Sequence, residues 1–189
     1  MRRSCVCAGL ALLLLPGLAG AQGSDEAACA APEARQFDFW LGDWTIDQRI
    51  LRPDGSYLEL PARTSVRSAV TGCALVEEWR GDVQFFWAGM KAPAELHGLS
   101  VRAWDPETRT WVIHWLDDMD PVLGEPFIGG FEDGRGVFTQ TTTGPDGVER
   151  TFRITFENPA DGVVDWQLAF SRDGGASWTT LWSMRMTRE

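Results

Sequence analysis

Residues 163–171 read Val-Val-Asp-Trp-Gln-Leu-Ala-Phe-Ser, and this stretch decides the fold. Apolar and polar side chains alternate along it: Val164, Trp166, Leu168 and Phe170 against Asp165, Gln167 and Ser171. Successive side chains of a β-strand point to opposite faces, so this alternation predicts a strand with one buried face and one solvated face. Such a strand needs neighbours of the same kind to cover its apolar face.

The segments on either side repeat this pattern. Turns separate them, such as Asp133-Gly134 and Asp173-Gly174-Gly175, in which glycine accepts the positive φ that tight hairpins require. No stretch of helical length has an apolar stripe, and only residues 32–41 are expected to form a short helical turn. The predicted strands lie at about residues 44–50, 62–70, 73–80, 98–104, 109–117, 126–132, 136–142, 149–157, 163–171 and 178–187.

About ten consecutive strands with one apolar face each predict an all-β protein. Hairpin connections without long crossovers favour a single antiparallel up-and-down barrel, because closing the sheet removes its exposed edges. Two packed sheets, as in a sandwich or jelly roll, are the alternative.

The N-terminus reads as a targeting signal. Arg2 and Arg3 precede an apolar run that is too short for a membrane span, and the small residues at 19–21 suit a signal peptidase. We therefore expect residues 1–21 to be a signal peptide, residues 22–34 a flexible leader and residues 35–189 the barrel domain. The mature protein is expected to be secreted or periplasmic.

The charge and the cysteines narrow the class of protein. The net charge of −10 disfavours nucleic acid and anionic membranes as partners. Outside the expected signal only Cys29 and Cys73 remain, and they either form one disulfide or stay free, with Cys73 as a small buried hydrophobe. The apolar segment 85–90 is expected to be a lid or a contact surface of a homodimer; otherwise the protein is a monomer.

The most specific motif is Phe-Asp-Phe-Trp-Leu-Gly-Asp-Trp at residues 37–44. Gly42 lets the chain bend closely under the barrel, and the indole of Trp44 then fills the bottom of the core. With this motif and with later ones, the chain resembles a family of bacterial secreted proteins with lipocalin-like, calycin-type barrels. The later motifs are Gly72-Cys73, Glu77-Glu78-Trp79, Trp104-Asp105-Pro106, Trp111 and the segment 171–178.

The resemblance implies a calycin-type barrel and no particular activity. In lipocalins a basic residue of the last strand lies over the first-strand tryptophan, which implies this role for Arg185, or else for Arg188. The chain is more distantly similar to nitrobindins, which hold haem through a histidine near their C-terminus. His97 and His114 are the only histidines here, so we expect no haem, no other cofactor and no metal site.

The segment 171–178, Ser-Arg-Asp-Gly-Gly-Ala-Ser-Trp, also resembles the Asp-box of sialidases. Asp173 is expected to accept backbone hydrogen bonds across this turn, and Trp178 to cover it. A single copy in a short chain argues for a structural turn and against a glycosidase, which needs two opposed carboxylates.

Ten tryptophans and ten phenylalanines either fill the barrel or line a pocket. Our hypothesis is a binding protein that encloses a small apolar molecule. An enzyme of the isomerase or cyclase type in the same cavity and a non-catalytic structural or interaction protein are the alternatives. No catalytic residue is predicted. The candidate ligand-binding residues are Glu77, Trp111, His114, Trp115, Gln140, Arg153, Trp166, Gln167 and Trp182, with Phe170 beside them.

Overall fold

The strands follow one another along the chain with short connections. The computed structural model describes residues 29–83, 95–144 and 146–189. Within these residues, none of the helices has the length and apolar character needed to cross a membrane. The ten strands are β1 (Gly42–Leu51), β2 (Tyr57–Ala69), β3 (Ala74–Asp82), β4 (Glu95–Asp105), β5 (Thr110–Asp117), β6 (Phe127–Glu132), β7 (Arg135–Thr143), β8 (Glu149–Ala160), β9 (Val163–Ser171) and β10 (Thr179–Arg188).

The sheet closes into an antiparallel barrel. Each strand pairs with the next one along the chain, and β10 returns to pair with β1, so that Trp44 lies opposite Arg188 and Ile50 opposite Trp182. The predicted up-and-down barrel is therefore confirmed, and the two-layer alternative is wrong. The observed strands agree with the predicted ones to within a few residues, except that β2 begins earlier, at Tyr57.

The two ends of the barrel differ. One end, which we call the mouth, has the connections that leave β1, β3, β5, β7 and β9 at their C-terminal ends. The opposite end, the floor, is closed by residues 29–41, which we call the plug. The segment 85–90, expected to be a lid or a contact surface, lies outside the described residues.

The plug is part of the folded domain. It contains two short 3₁₀ turns, Pro32–Arg35 and Asp38–Trp40, which agree with the helical turn expected there. Phe37 is fully buried, and Cys29 forms a disulfide with Cys73 after β2. The expected leader is therefore too long at its C-terminal end, because residues 29–34 belong to the barrel floor. Residues 22–28 lie outside the described part of the chain.

Gly42 and Trp44 occupy the predicted place where the chain enters β1. Gly42 has a φ of +125°, and a Cβ atom there would lie 2.5 Å from Nη1 of Arg188. The Arg188 guanidinium lies 4.2 Å from the centre of the Trp44 ring and donates hydrogen bonds to the carbonyls of Leu41 and Phe39. Arg188 thus closes the floor. Arg185, expected to have this role, lies outside and pairs with Asp165 at 2.9 Å.

The turn from β9 to β10 has the predicted lock. Asp173 Oδ1 accepts a hydrogen bond from the backbone N–H of Ser177 at 2.9 Å, and Oδ2 accepts one from the Ser177 hydroxyl at 2.6 Å. The Trp178 indole N–H donates to the carbonyl of Gly175 at 3.0 Å. The hydrogen bonds from Ser177 and Ser171 lower the pKa of the Asp173 carboxyl to about 2. The segment 171–178 is therefore a self-contained turn at the mouth.

Candidate functional site

The lower half of the barrel interior is a packed aromatic core. Phe37 of the plug is its centre, because the rings of Trp111 and Phe138 lie 5.0 and 5.5 Å from it and that of Phe156 lies 5.2 Å away. Trp40 stacks on Trp44 with ring centres 5.4 Å apart. All these side chains are at most 1% exposed, so this half offers no room for a ligand.

A buried ion pair lies above this core. Arg102 of β4 donates to Glu77 of β3 at 2.6 Å, and both side chains are about 95% removed from solvent, with exposures of 4% and 5%. The second Glu77 oxygen accepts a hydrogen bond from the Thr64 hydroxyl at 2.8 Å. Both carboxylate oxygens are thus engaged, which is the arrangement a buried charge needs.

Three rings surround the Arg102 guanidinium. Its central carbon lies 5.4 Å from the ring centre of Phe37 and 5.5 Å from those of Trp40 and Phe156. Nε and Nη1 of Arg102 have no hydrogen-bond partner among the described residues. The electron-rich ring faces stabilise this cation, so the ion pair and the floor form one unit.

The upper half of the interior contains a cluster of four indoles, Trp79, Trp115, Trp166 and Trp182. Trp79 contacts Trp182 edge to face at 5.5 Å and Trp115 at 6.3 Å, and Trp166 contacts Trp182 at 5.6 Å. Trp79 is 2% exposed, whereas Trp115 and Trp166 are only half-buried. The cluster therefore spans from the sealed core toward the mouth.

Gln48 connects this cluster to the mouth. The Trp182 indole donates to Oε1 of Gln48 at 2.9 Å, and Nε2 of Gln48 donates to the carbonyl of Asp82 at 2.7 Å. Gln48 is 1% exposed on β1, between the buried residues Ile46 and Ile50. The Gln48 side chain therefore links the C-terminal end of β3 to β1 and β10 at the mouth.

The mouth is open on one side. The β1, β3 and β4 side is covered, because its apolar side chains are at most 2% exposed: Ile50, Val83 and Leu96. On the opposite side, strands β5 to β9 carry inward-facing apolar side chains that are only half-buried. These are Trp115, Phe127, Phe152, Leu168 and Phe170.

Among the described residues, the shortest strand pairing of the barrel lies next to this open side. Strands β5 and β6 pair over only three residue pairs, from Trp111↔Gly129 to Ile113↔Phe127. The loop 118–126 fills the space beside the upper part of β5. His114 Nδ1 lies 3.2 Å from the carbonyl of Gly124, and Gln140 donates to the carbonyl of Glu125 at 2.6 Å. Two side chains thus hold this loop against the wall.

Several candidate residues lie inside the barrel. Glu77 is in the ion pair, Trp111 is in the floor, where its indole donates to the carbonyl of Glu33 at 3.0 Å, and Gln140 is at the mouth. Trp115, Trp166 and Trp182 are in the indole cluster. Of the candidates, the structure brings together only these three as neighbouring wall residues.

Three candidates lie on the outer face of the barrel and not in its interior. His114 holds the loop 118–126, and Gln167 is exposed on the outer face of β9. Arg153 lies outside under Trp178, with its guanidinium 3.9 Å from the ring centre. Burial, with the nearby charge of Arg135 as the lesser cause, lowers the pKa of Arg153. Each of these residues lies between two inward-facing neighbours and so occupies an outward position.

The structure adds residues that the sequence analysis missed. Arg102, Ser100 and Gln48 are all buried polar side chains of the interior. Their place in the alternation of inward-facing and outward-facing residues along each strand identifies them. Arg102 and Ser100 share a face with Trp104, and Gln48 shares one with Trp44 and Ile46.

The described residues contain no group of three His, Cys, Asp or Glu side chains that could hold a metal ion. His97 lies on the outer face of β4, 3.3 Å from Glu95. A concavity of about 680 Å³ lies on the outer surface of β1, β2, β9 and β10, and its rim is formed by charged side chains such as Arg49, Glu59 and Asp165.

These features define a lipocalin-like barrel with a sealed floor and a partly open aromatic mouth. No family model and no curated protein matches the chain. Among solved structures, the chain is similar to the S-type phycobiliprotein lyase CPES from Guillardia theta, with a TM-score of 0.53 and 11% identity. The match covers 88% of this chain and 97% of that chain. At this identity the similarity concerns the fold alone.

Proposed function

We propose that this protein is a binding barrel that takes a small, largely apolar molecule through the mouth and holds it against the indole cluster. One observation carries the proposal: inward-facing apolar side chains are only partly buried on the β5 to β9 side, although the rest of the described interior is sealed. Apolar and aromatic walls with a few polar groups are typical of small-molecule sites.

Export to the periplasm or the medium is part of this proposal. The signal-like residues 1–21 support it, and so does the Cys29–Cys73 disulfide, because such bonds persist in oxidising compartments. The similarity to the phycobiliprotein lyase also supports a barrel that binds a ligand. This support rests on the shared fold alone.

The test uses N-phenyl-1-naphthylamine, a neutral apolar dye whose emission rises in apolar surroundings. We expect saturable binding of one dye per chain and quenching of the tryptophan emission. The variant Leu168→Ala removes apolar wall from the mouth and is expected to weaken binding by about tenfold.

The matched control is Leu123→Ala, because Leu123 is 57% exposed on the loop 118–126 and outside the proposed site. This variant is expected to bind the dye like the wild type. A wild-type protein that neither binds the dye nor changes its tryptophan emission has a sealed interior, and the proposal is then wrong.

A further inference from the structure

Two buried hydrogen-bond donors in the upper half of the barrel lack acceptors. The indole Nε1 of Trp79 on β3 and the hydroxyl of Ser100 on β4 have no hydrogen-bond partner among the described residues. Both residues are 2% exposed. A buried polar group without a partner destabilises the folded state, so native interiors rarely keep one.

Neighbouring indoles do not share this defect. The Trp115 indole donates to Oδ2 of Asp117 at 2.8 Å, and the Trp182 indole donates to Oε1 of Gln48 at 2.9 Å. The same cluster therefore supplies an acceptor for two of its indoles and leaves Trp79 without one. This contrast indicates that the acceptor for Trp79 comes from outside the described chain.

The other unpartnered donors of the described interior belong to Arg102 and Trp40. Nε and Nη1 of Arg102 lie among the rings of Phe37, Trp40 and Phe156, which stabilise the cation. Trp40 Nε1 lies at the sealed floor, in the same unit. Trp79 and Ser100 lie higher, toward the proposed binding site.

Strand register places the two donors on adjacent positions of one inner face. Ser100 lies directly opposite Glu77 on β3 and opposite Trp115 on β5, and Trp79 is two residues beyond Glu77. Opposite Trp79 is Gly98, where a Cβ atom would fall on the Trp115 ring. The half-buried Trp115 ring thus lies next to both donors and is the side chain whose displacement would uncover them.

The charge of the site favours a neutral partner. Glu77 already neutralises Arg102, and the whole chain carries a net charge of −10. An added carboxylate would be buried without a counter-ion, which is strongly unfavourable in such surroundings. A neutral carbonyl oxygen accepts two hydrogen bonds without this cost.

We propose that the ligand presents a neutral carbonyl oxygen to Trp79 Nε1 and the Ser100 hydroxyl while its apolar body lies against the indole cluster. This inference rests on the proposed function and adds the chemical class of the ligand. The Trp115 ring moves aside when the carbonyl group enters.

Three matched naphthalenes test it: 2-acetylnaphthalene with a carbonyl group, 2-ethylnaphthalene with none, and 2-naphthoate with a carboxylate. The readout is the ratio of the dissociation constants of the ethyl and acetyl compounds. Ser100→Ala and Trp79→Phe each remove one donor and are expected to lower this ratio by roughly fivefold to tenfold. In the wild type, 2-naphthoate is expected to bind more weakly than 2-acetylnaphthalene.

The controls are the same substitutions outside the barrel, Ser183→Ala and Trp178→Phe, which should leave the ratio unchanged. If all three naphthalenes bind and neither inner variant changes the ratio, the carbonyl inference is overturned while the binding proposal stands. Tighter binding of 2-naphthoate than of 2-acetylnaphthalene also overturns it. If neither the naphthalenes nor N-phenyl-1-naphthylamine bind, both proposals fail.

Discussion

At the scale of single residues, the chemistry of the interior depends on Glu77 and Arg102. They are the charged side chains of the described interior, and each is stable there because of the other. Residue type alone points to Glu77 as a polar candidate and overlooks Arg102, although the alternation of each strand already separates inward from outward positions. Arg153, Gln167 and His114 occupy outward positions by that rule.

The ion pair gives a prediction for stability. Glu77→Gln removes the charge that neutralises Arg102 and leaves a buried cation unpaired, so we expect a loss of roughly 3–5 kcal/mol in the free energy of unfolding. Replacing both residues with apolar ones, Glu77→Leu with Arg102→Met, is expected to restore much of this loss. Urea unfolding followed by tryptophan fluorescence measures both changes.

The matched control is Glu59→Gln. Its partner Arg49 lies 3.3 Å away, and the two side chains are 74% and 57% exposed. Exposed pairs contribute less than about 1 kcal/mol, so this variant should be almost as stable as the wild type. Equal losses in Glu59→Gln and Glu77→Gln would mean that the buried ion pair contributes no more to stability than the exposed one.

At the scale of elements, the strands and turns were the most predictable part of the molecule. Alternating side chains and Asp-Gly turns are local signals, and all ten strands were found from them. The position of the plug was less predictable. Residues 29–34 look like a polar leader because their order comes from distant partners, the disulfide to Cys73 and the contact of Glu33 with Arg109. No local sequence pattern predicts those contacts.

The turn between β9 and β10 gives a prediction for pH. The Asp173 carboxyl has a pKa of about 2 in the folded protein, against an ordinary value of 3.8. The stabilising effect of the Asp173 carboxylate is therefore complete above about pH 3.8 and is lost as the pH falls through about 2. Asp173→Ala should lower the melting temperature at pH 7, and the difference from the wild type should shrink toward pH 2.

The comparison for this prediction is Asp161→Ala, which changes an exposed acid in the β8–β9 turn at the floor. We expect its melting temperature to remain close to that of the wild type at both pH values. A difference between Asp173→Ala and the wild type that is as large at pH 2 as at pH 7 would show that the carboxylate charge does not matter.

At the scale of the whole molecule, one barrel and one plug share a continuous core. The buried cluster runs from Ala34 and Phe37 of the plug to Trp182 and Met184 of β10. The sequence predicted the barrel because some ten apolar faces have to be covered by one another. It could not predict which end is sealed, because that depends on where the plug binds and on how far the mouth residues on β5 to β9 are covered.

The disulfide that holds the plug gives the third prediction. It closes a loop with a sequence separation of 44, and restricting the unfolded chain in this way stabilises the fold by about 4 kcal/mol. The variant in which both Cys29 and Cys73 are serine should lose about that much stability in urea. Wild-type protein reduced with dithiothreitol should show the same loss, and an unchanged midpoint in both samples would contradict the prediction.

The pairing of β1 with β10 has a consequence for biosynthesis. The first strand of the barrel finds its second neighbour only in β10, Thr179–Arg188, which is the last barrel strand to be synthesised. A nascent polypeptide therefore has unpaired strand edges until β10 has been synthesised, and such edges attract other chains. Loss of β10, for instance through a stop codon before Thr179, would yield an open sheet prone to aggregation instead of a slightly shortened protein.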